Sequence, residues 1–265
     1  MTKLAYKLLL ICSCLTLQNI SFTQTNTTHK LQMGIILSSG LNFNKMNTKI
    51  AEGEIGTDLT VGMNIVKNFN HNLGFVSGFE FDFSKIKYAF DEKDSIFYSY
   101  IDSKILNKSD DHTNSSLFNI HERNQTPIYL SIPTMFVFRT DYMGYNRFFA
   151  KFGMRHSIVL KSTTDDQGFE KEKKELLNMD LSSDLRYYKG SIGMACGTEW
   201  NYYGSSTMVF ELGYYYGINN IHSGNALIGN DIDKNRSLFK KTNLTSYTSL
   251  KSTQNQLTLK VSFLF

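Results

Sequence analysis

Proline is nearly missing from this chain: two occur among 265 residues, at Pro127 and Pro133. Cysteine is scarce as well, with Cys12 and Cys14 in the opening stretch and Cys196 far from both. A thiol left alone once that stretch is removed excludes an internal disulfide and a cysteine-based metal cluster. After the first 23 residues there is no uninterrupted apolar run of the ~18 residues a membrane helix needs, which excludes a helical membrane protein. Charge of one sign is lacking too: 28 basic side chains against 24 acidic ones give a formal net charge of +4. That balance supplies no strong attraction to nucleic acid, and no nucleic-acid partner is expected.

The opening "MTKLAYKLLLICSCLTLQNISFTQ" has Lys3 and Lys7 without an acid, an apolar run over Leu8 to Leu17, then the small residues Ser21 and Thr23. This is the pattern of a signal peptide covering residues 1–23, cleaved before Gln24. Its loss removes two lysines and takes the net charge from +4 to +2. The remaining segment, 24–265, is abundant in aromatics and carries glycine inside alternating segments, which favours one large all-β domain.

Eight runs show alternation of period two: 31–42, 54–67, 72–88, 127–139, 146–160, 186–203, 207–218 and 255–265. In "LGFVSGFEFDFS", Leu73, Phe75, Phe79, Phe81 and Phe83 fall on one side, and Gly74, Val76, Gly78, Glu80 and Asp82 on the other. Such a pattern alone does not tell a soluble sandwich from a membrane barrel. Length separates them. Most runs exceed the ~5–6 residues usual in globular sheets and reach the ~9–11 that a tilted strand needs to cross a bilayer. The gaps between runs, 11, 4, 38, 6, 25, 3 and 36 residues, alternate long and short. Outer-membrane barrels have that rhythm, with short turns on the periplasmic side and long loops outside. The expected fold is therefore a closed antiparallel up-and-down transmembrane β-barrel of eight strands. It becomes ten if "SIFYSYIDSKIL" in the loop 90–125 adds a hairpin.

The C-terminal "QLTLKVSFLF" fits the same plan, with Leu257, Leu259, Val261, Phe263 and Phe265 facing lipid and Thr258, Lys260 and Ser262 facing the lumen. A last strand that closes the barrel leaves no unpaired edge in hydrocarbon. Leu259, Val261, Phe263 and Phe265 also resemble the terminal signal read by outer-membrane assembly machinery.

The run "PIYLSIPTMFVF" (127–138) resembles the Y-L-x-I-P strand of the small outer-membrane β-barrel family of Bacteroidetes that includes PorT-like proteins, through Tyr129, Leu130, Ile132 and Pro133. The leader, the start near Gln24, the glycine-containing first strand "LQMGIILSSGLN" and the aromatic C-terminus are similar to that family. The resemblance implies an outer-membrane location and a part in an envelope or secretion complex. Proline removes a ladder donor, so Pro133 is expected at a local bulge.

Eight strands enclose a lumen just wide enough for side chains. Asp58, Glu80, Asp82, Glu199 and Glu211, with Lys151, Arg155, Lys189 and Lys260, fall on the inward face and are expected to pair across it. Glu80 with Arg155 and Glu211 with Lys189 are the expected couples. Phe69, Tyr142, Tyr145, Phe148, Trp200 and Tyr202 near the short turns, and Tyr88, Phe90, Tyr187 and Tyr188 toward the other end, suit two interfacial girdles.

Chemistry is poorly represented. His156 and Ser157 are adjacent in a strand and face opposite ways, which defeats a dyad. Asp165 and Asp166 with His222 are expected in loops. Cys196 falls on the lipid side, where a thiol acts as a small apolar residue. No metal, phosphate or dinucleotide motif stands in the context it requires. The expectation is a barrel without cofactor or enzymatic activity. It would contact outer-membrane lipid, the assembly machinery and envelope or secretion partners, with loops 89–126, 161–185 and 219–254 as its contact surface. A narrow channel and a rim hydrolase are the competing readings.

Overall fold

The computed structural model describes residues 30–46, 51–90, 96–100, 117–168, 175–180, 182–203, 206–223, 227–231, 246–249 and 251–265. The leader therefore lies outside the described residues. In chain order the strands are β1 (Leu31–Met46), β2 (Ala51–Asn68), β3 (Leu73–Ser84), β4 (Ile86–Phe90), β5 (Ile96–Tyr100), β6 (Leu117–Arg139), β7 (Asn146–Gly168), β8 (Glu175–Asp180), β9 (Tyr188–Tyr203), β10 (Ser206–Gly217), β11 (Leu227–Asp231), β12 (Ser246–Ser249) and β13 (Ser252–Leu264).

Eight staves close into a ring by antiparallel ladders. β1 pairs with β2, β2 with β3, β3 with β6, β6 with β7, β7 with β9, β9 with β10, β10 with β13, and β13 returns to β1. β4 continues the third stave beyond Lys85, pairing with β2 and β6. The ring is therefore eight-stranded. The alternation at 96–100 forms β5, which adds to the upper part of β6 outside the ring and carries β11 on its other edge. Closure follows from the sequence pattern, because a sheet whose both faces are patterned for different media leaves no edge only when its first and last strands meet.

Alternation fixes the faces. Phe79, Phe210 and Phe263 are 56%, 42% and 52% exposed, whereas Glu80, Asp82 and Glu211 on the intervening positions are buried. That is inverted relative to a water-soluble protein and suits hydrocarbon outside. Both chain ends of the ring, the turn 69–72 and the turn 140–145 lie at one end, where Leu31 pairs with Lys67, Leu73 with Phe138 and Ser206 with Tyr203. Local chemistry closes these turns. Asn70 Oδ1 accepts from the backbone N–H of Asn72 at 3.0 Å and of Leu73 at 2.6 Å. Gly144 takes a φ of 67°, the left-handed region that a side chain disfavours.

Three expectations need correction. β6 and β7 each run 23 residues, so the ends of the expected loops 89–126 and 161–185 are strand that raises the wall beyond the span a bilayer needs. Pro133 does not sit at a bulge. Its ladder to β3 lapses between the pairs Ser77↔Thr134 and Glu80↔Ser131 and resumes in the same register, so the missing donor is absorbed by a gap. The two register shifts between β6 and β7 fall higher, one at Leu160, skipped as pairing passes from Val159 to Lys161, and one at His121. Finally, Tyr88 and Phe90 are buried inside the barrel, while Tyr187 and Tyr188 are outside it. The parity that turns Glu80 and Asp82 inward continues through β4, and carries both aromatics inward with it.

Candidate functional site

Small eight-stranded barrels have no room for bulk water, so the inward side chains form the only interior there is. At the short-turn end, Glu199 on β9 receives Arg139 Nε at 2.8 Å and Arg147 Nε at 2.6 Å. Arg139 also donates to Asn68 Oδ1 at 2.8 Å, and the Arg147 guanidinium lies 4.6 Å from the Tyr142 ring. One carboxylate thus ties the ends of β2, β6, β7 and β9 together. Above it Val66, Val76, Val137, Phe149, Val209 and Leu264 form an apolar layer across the lumen.

The middle is ionic. Lys151 donates to Glu211 and lies 4.7 Å from the Phe149 ring. Lys260 Nζ donates to Glu80 Oε1 at 2.6 Å, and Arg155 Nη2 donates to Glu80 Oε2 at 2.6 Å and to Asp82 Oδ1 at 2.5 Å. Asp82 also accepts from Thr60 Oγ1 at 2.8 Å and from Ser131, whose hydroxyl is 2.6 Å from that of Ser157. Gln256 Nε2 donates to Asp58 at 3.0 Å, and Lys189 Nζ to Gln254 Oε1 at 2.8 Å. Every one of these groups is buried, so each charge needs a partner at hydrogen-bond range to be tolerated.

All nine charged residues read from the sequence are buried and inward, but only eight share the middle of the lumen; Glu199 stands apart at the short-turn end, paired with Arg139 and Arg147. One guessed couple is corrected: Glu211 pairs with Lys151, not Lys189, which faces Gln254 and rests 4.3 Å from the Tyr129 ring. Pairing across a lumen depends on stagger between strands, and one sequence does not reveal it. Tyr215 fills the space beside Arg155, its ring 5.2 Å from the guanidinium. Gly193 makes room for it, since a Cβ there would meet the Tyr215 ring at 2.4 Å.

Toward the long-loop end a second apolar cluster, Ile86, Tyr88 and Ile221 with Met46 against it, closes the lumen. Beside it Arg123 forms a two-bond fork with Asp166, both distances 2.8 Å, and reaches Asp184 at 3.5 Å. Tyr88 Oη and His222 Nε2 are 2.8 Å apart. Asp166 is thus on a strand in an ion pair, contrary to the loop placement expected for it, whereas His222 does lie in the connection after β10 but is buried there against a tyrosine. Arg123, Arg139 and Arg147 escaped the sequence reading although they keep the inward parity of their strands, whereas Asp166, expected in a loop, turns inward because the parity of β7 reverses where pairing skips Leu160. Arg123 lay beyond the expected strand limit, and Arg139 and Arg147 sit beside turns, where a charge ordinarily meets water. His222 pKa is pushed down to about 3 by burial, with Arg123 adding to it, and Asp184 is pushed up to about 6 by burial against the pull of Arg123.

On the outer wall His156 Nδ1 is 2.8 Å from Tyr188 Oη, while Ser157 points inward. Cys196 is exposed on the outward face. Leu259, Phe263 and Phe265 are outward too, and Val261 is half-buried in the same row.

A family model described as "Outer membrane protein beta-barrel domain" matches residues 19–223, well over half of the chain. The chain belongs to that family. As an outer-membrane β-barrel protein it is similar in fold to several solved barrels. OprG from Pseudomonas aeruginosa is 7% identical, with 89% of this chain and 95% of that one covered and a TM-score of 0.43. Ail, the attachment invasion locus protein of Yersinia pestis, is 12% identical over 89% of this chain and 100% of that one, with a TM-score of 0.36. Neisserial surface protein A is 7% identical over 87% and 95%, with a TM-score of 0.33. No curated protein matches the chain.

Proposed function

We propose that this outer-membrane barrel is a non-enzymatic, side-chain-filled cylinder that acts through the surface it raises outside the cell. The observation that carries this reading is the order of layers in the lumen. An ion-pair network is bracketed by one apolar layer around Val137 and Phe149 and another around Ile86 and Ile221. Ions crossing such a lumen would have to break buried pairs and then traverse hydrocarbon-like constrictions, each step costly. The segments 89–126, 161–185 and 219–254, part raised wall and part loop, form the contact surface for envelope or secretion partners. Residues 1–23 serve as the cleaved export leader, and the row Leu259, Val261, Phe263 and Phe265 as the signal for assembly.

Planar-bilayer recording of the refolded protein tests the plug. No unitary current steps are expected, and reproducible ohmic steps would overturn it. An accessory role of the PorT-like kind is favoured by Tyr129, Leu130, Ile132 and Pro133, and predicts that a partner co-purifies from native membranes in mild detergent. The absence of hydrolysis on phospholipid and peptide substrates is expected as well.

A further inference from the structure

A groove of about 290 Å³ opens on the outward face of the barrel, lined by Trp200, Tyr202, Ser206, Thr207, Met208, Phe263, Leu264 and Phe265. Its origin is local. Pairing between β9 and β10 passes from Tyr203↔Ser206 to Asn201↔Thr207, so Tyr202 is the extra residue of a bulge. Bulges bend the strand and re-aim side chains. Tyr202 is 72% exposed and stands edge-on to Trp200, centroids 5.7 Å apart and rings at 83°. On the other flank Met208 pairs with Phe263, and Phe265 is tied to β1 by its N–H to Met33 O at 2.8 Å. The small Ser206 thus lies between two aromatic walls, and its missing bulk is the groove.

We infer that this groove is a binding site for one acyl chain of a phospholipid in the periplasmic leaflet. Its walls are continuous with the apolar band that faces lipid, which names hydrocarbon as the occupant, and no cation is among the lining residues to hold a headgroup there. Its level is set by the short turns and the chain ends, which lie at the periplasmic end of such barrels. Open flat wall offers an acyl chain contact on one side. The groove offers it on three, and dispersion sums over contacts. The site rests on the barrel and its orientation and is independent of whether the lumen conducts.

Trp200 is the single tryptophan of the chain, so its emission reports on this wall alone. The test reconstitutes the full-length refolded protein in phosphatidylcholine vesicles whose acyl chains carry bromine, a contact quencher, at rising mole fraction. Quenching of the native protein should saturate well before the mole fraction that an exchanging lipid annulus would require. The variant Ser206→Phe, which fills the groove, should lose more than half of the quenching, and native mass spectrometry should show one retained phospholipid on the native barrel and none on the variant. Both proteins are first shown to be folded by heat-modifiable gel migration, with Ser206→Met standing in if the larger ring is not accepted. Equal quenching in native and filled barrels would leave ordinary annular contact only and overturn the site. Absence of quenching in the native protein, with cross-linked dimers, would assign the groove to a second copy and overturn it equally.

Discussion

Arg155 is the residue whose removal should cost most. Its side chain is 2% exposed, those of Glu80 and Asp82 are fully buried, and it donates to both carboxylates and to Gln256 Oε1 at 3.3 Å. The middle of the lumen holds four acids, Asp58, Glu80, Asp82 and Glu211, and four cations, Lys151, Arg155, Lys189 and Lys260. Arg155→Met keeps the volume and removes one cation, leaving Asp82 with the hydroxyl donors of Thr60 and Ser131 but no charge partner. An uncompensated buried charge costs about 3–5 kcal/mol. In the unfolding equilibrium this is on the order of a hundred- to a few-thousand-fold. Glu80 loses less, because Lys260 remains on its other oxygen. Urea unfolding in lipid vesicles, followed by Trp200 emission and by the folded band on unheated gels, measures the loss. The double variant Arg155→Met with Asp82→Asn restores the balance and should recover at least half of it, since neutralising the orphan removes the penalty. A loss below about 1 kcal/mol for the single variant, or none recovered by the double, would refute the closed network, because both outcomes require water to reach Asp82.

The outer cluster should respond to acid. His222 titrates near 6.5 when unfolded and at about 3 when folded, so the unfolded chain takes the proton first, and stability present above pH 6.5 is lost as the pH falls toward 3. Asp184, pushed up to about 6, acts in the opposite sense and adds stability as the pH falls from 6 toward 3.8. His222→Gln should therefore melt with less acid sensitivity than the native barrel between pH 7 and 4; parallel curves would contradict the burial of the ring. Gly193→Ala should displace Tyr215 from Arg155 and destabilise the barrel by about 1–3 kcal/mol, as overpacking does, read as a lower urea midpoint. An unchanged midpoint would mean that the tyrosine has another rotamer to use.

How far the fold could be read from the residues depended on which rule each position obeys. Alternation is local, and it placed Phe79 outside and Glu80 inside without help from any neighbour. The same rule places Tyr88, inside the run 72–88, within the barrel, where it had been assigned to a girdle because it is an aromatic near a strand end; carried past the limit assumed at Pro127 it places Arg123 inside as well, a residue missed because polar neighbours such as Asn124 and Gln125 read as loop. Here the wall stands above the bilayer, where outward side chains meet water and the apolar signal fades. Tyr215 fell on an inward position and was overlooked because aromatic bulk was assigned to lipid. Its place became legible only beside Gly193, which pairs with it across β9 and β10. The choice between Lys151 and Lys189 as partner of Glu211 was beyond sequence, since it is set by stagger among three staves, β7, β9 and β10.

These placements also narrow where a function can reside. Along each stave the outward positions are committed to hydrocarbon and the inward ones to each other, so a substitution on either face is answered by solvation or packing before it reaches any partner. Among the described residues the periplasmic end offers the four-residue turn 69–72 and the six-residue turn 140–145, and those are pinned by Asn70, Gly144 and the Arg139, Glu199 and Arg147 clasp. The opposite end is the one, among the described residues, that reaches beyond both constraints. There β6 and β7 rise well past a bilayer span, and β5 and β8 add edges to them. Rigid strands under variable loops hold a contact surface in place while leaving its chemistry free to change, which is how loops on a fixed scaffold carry specificity.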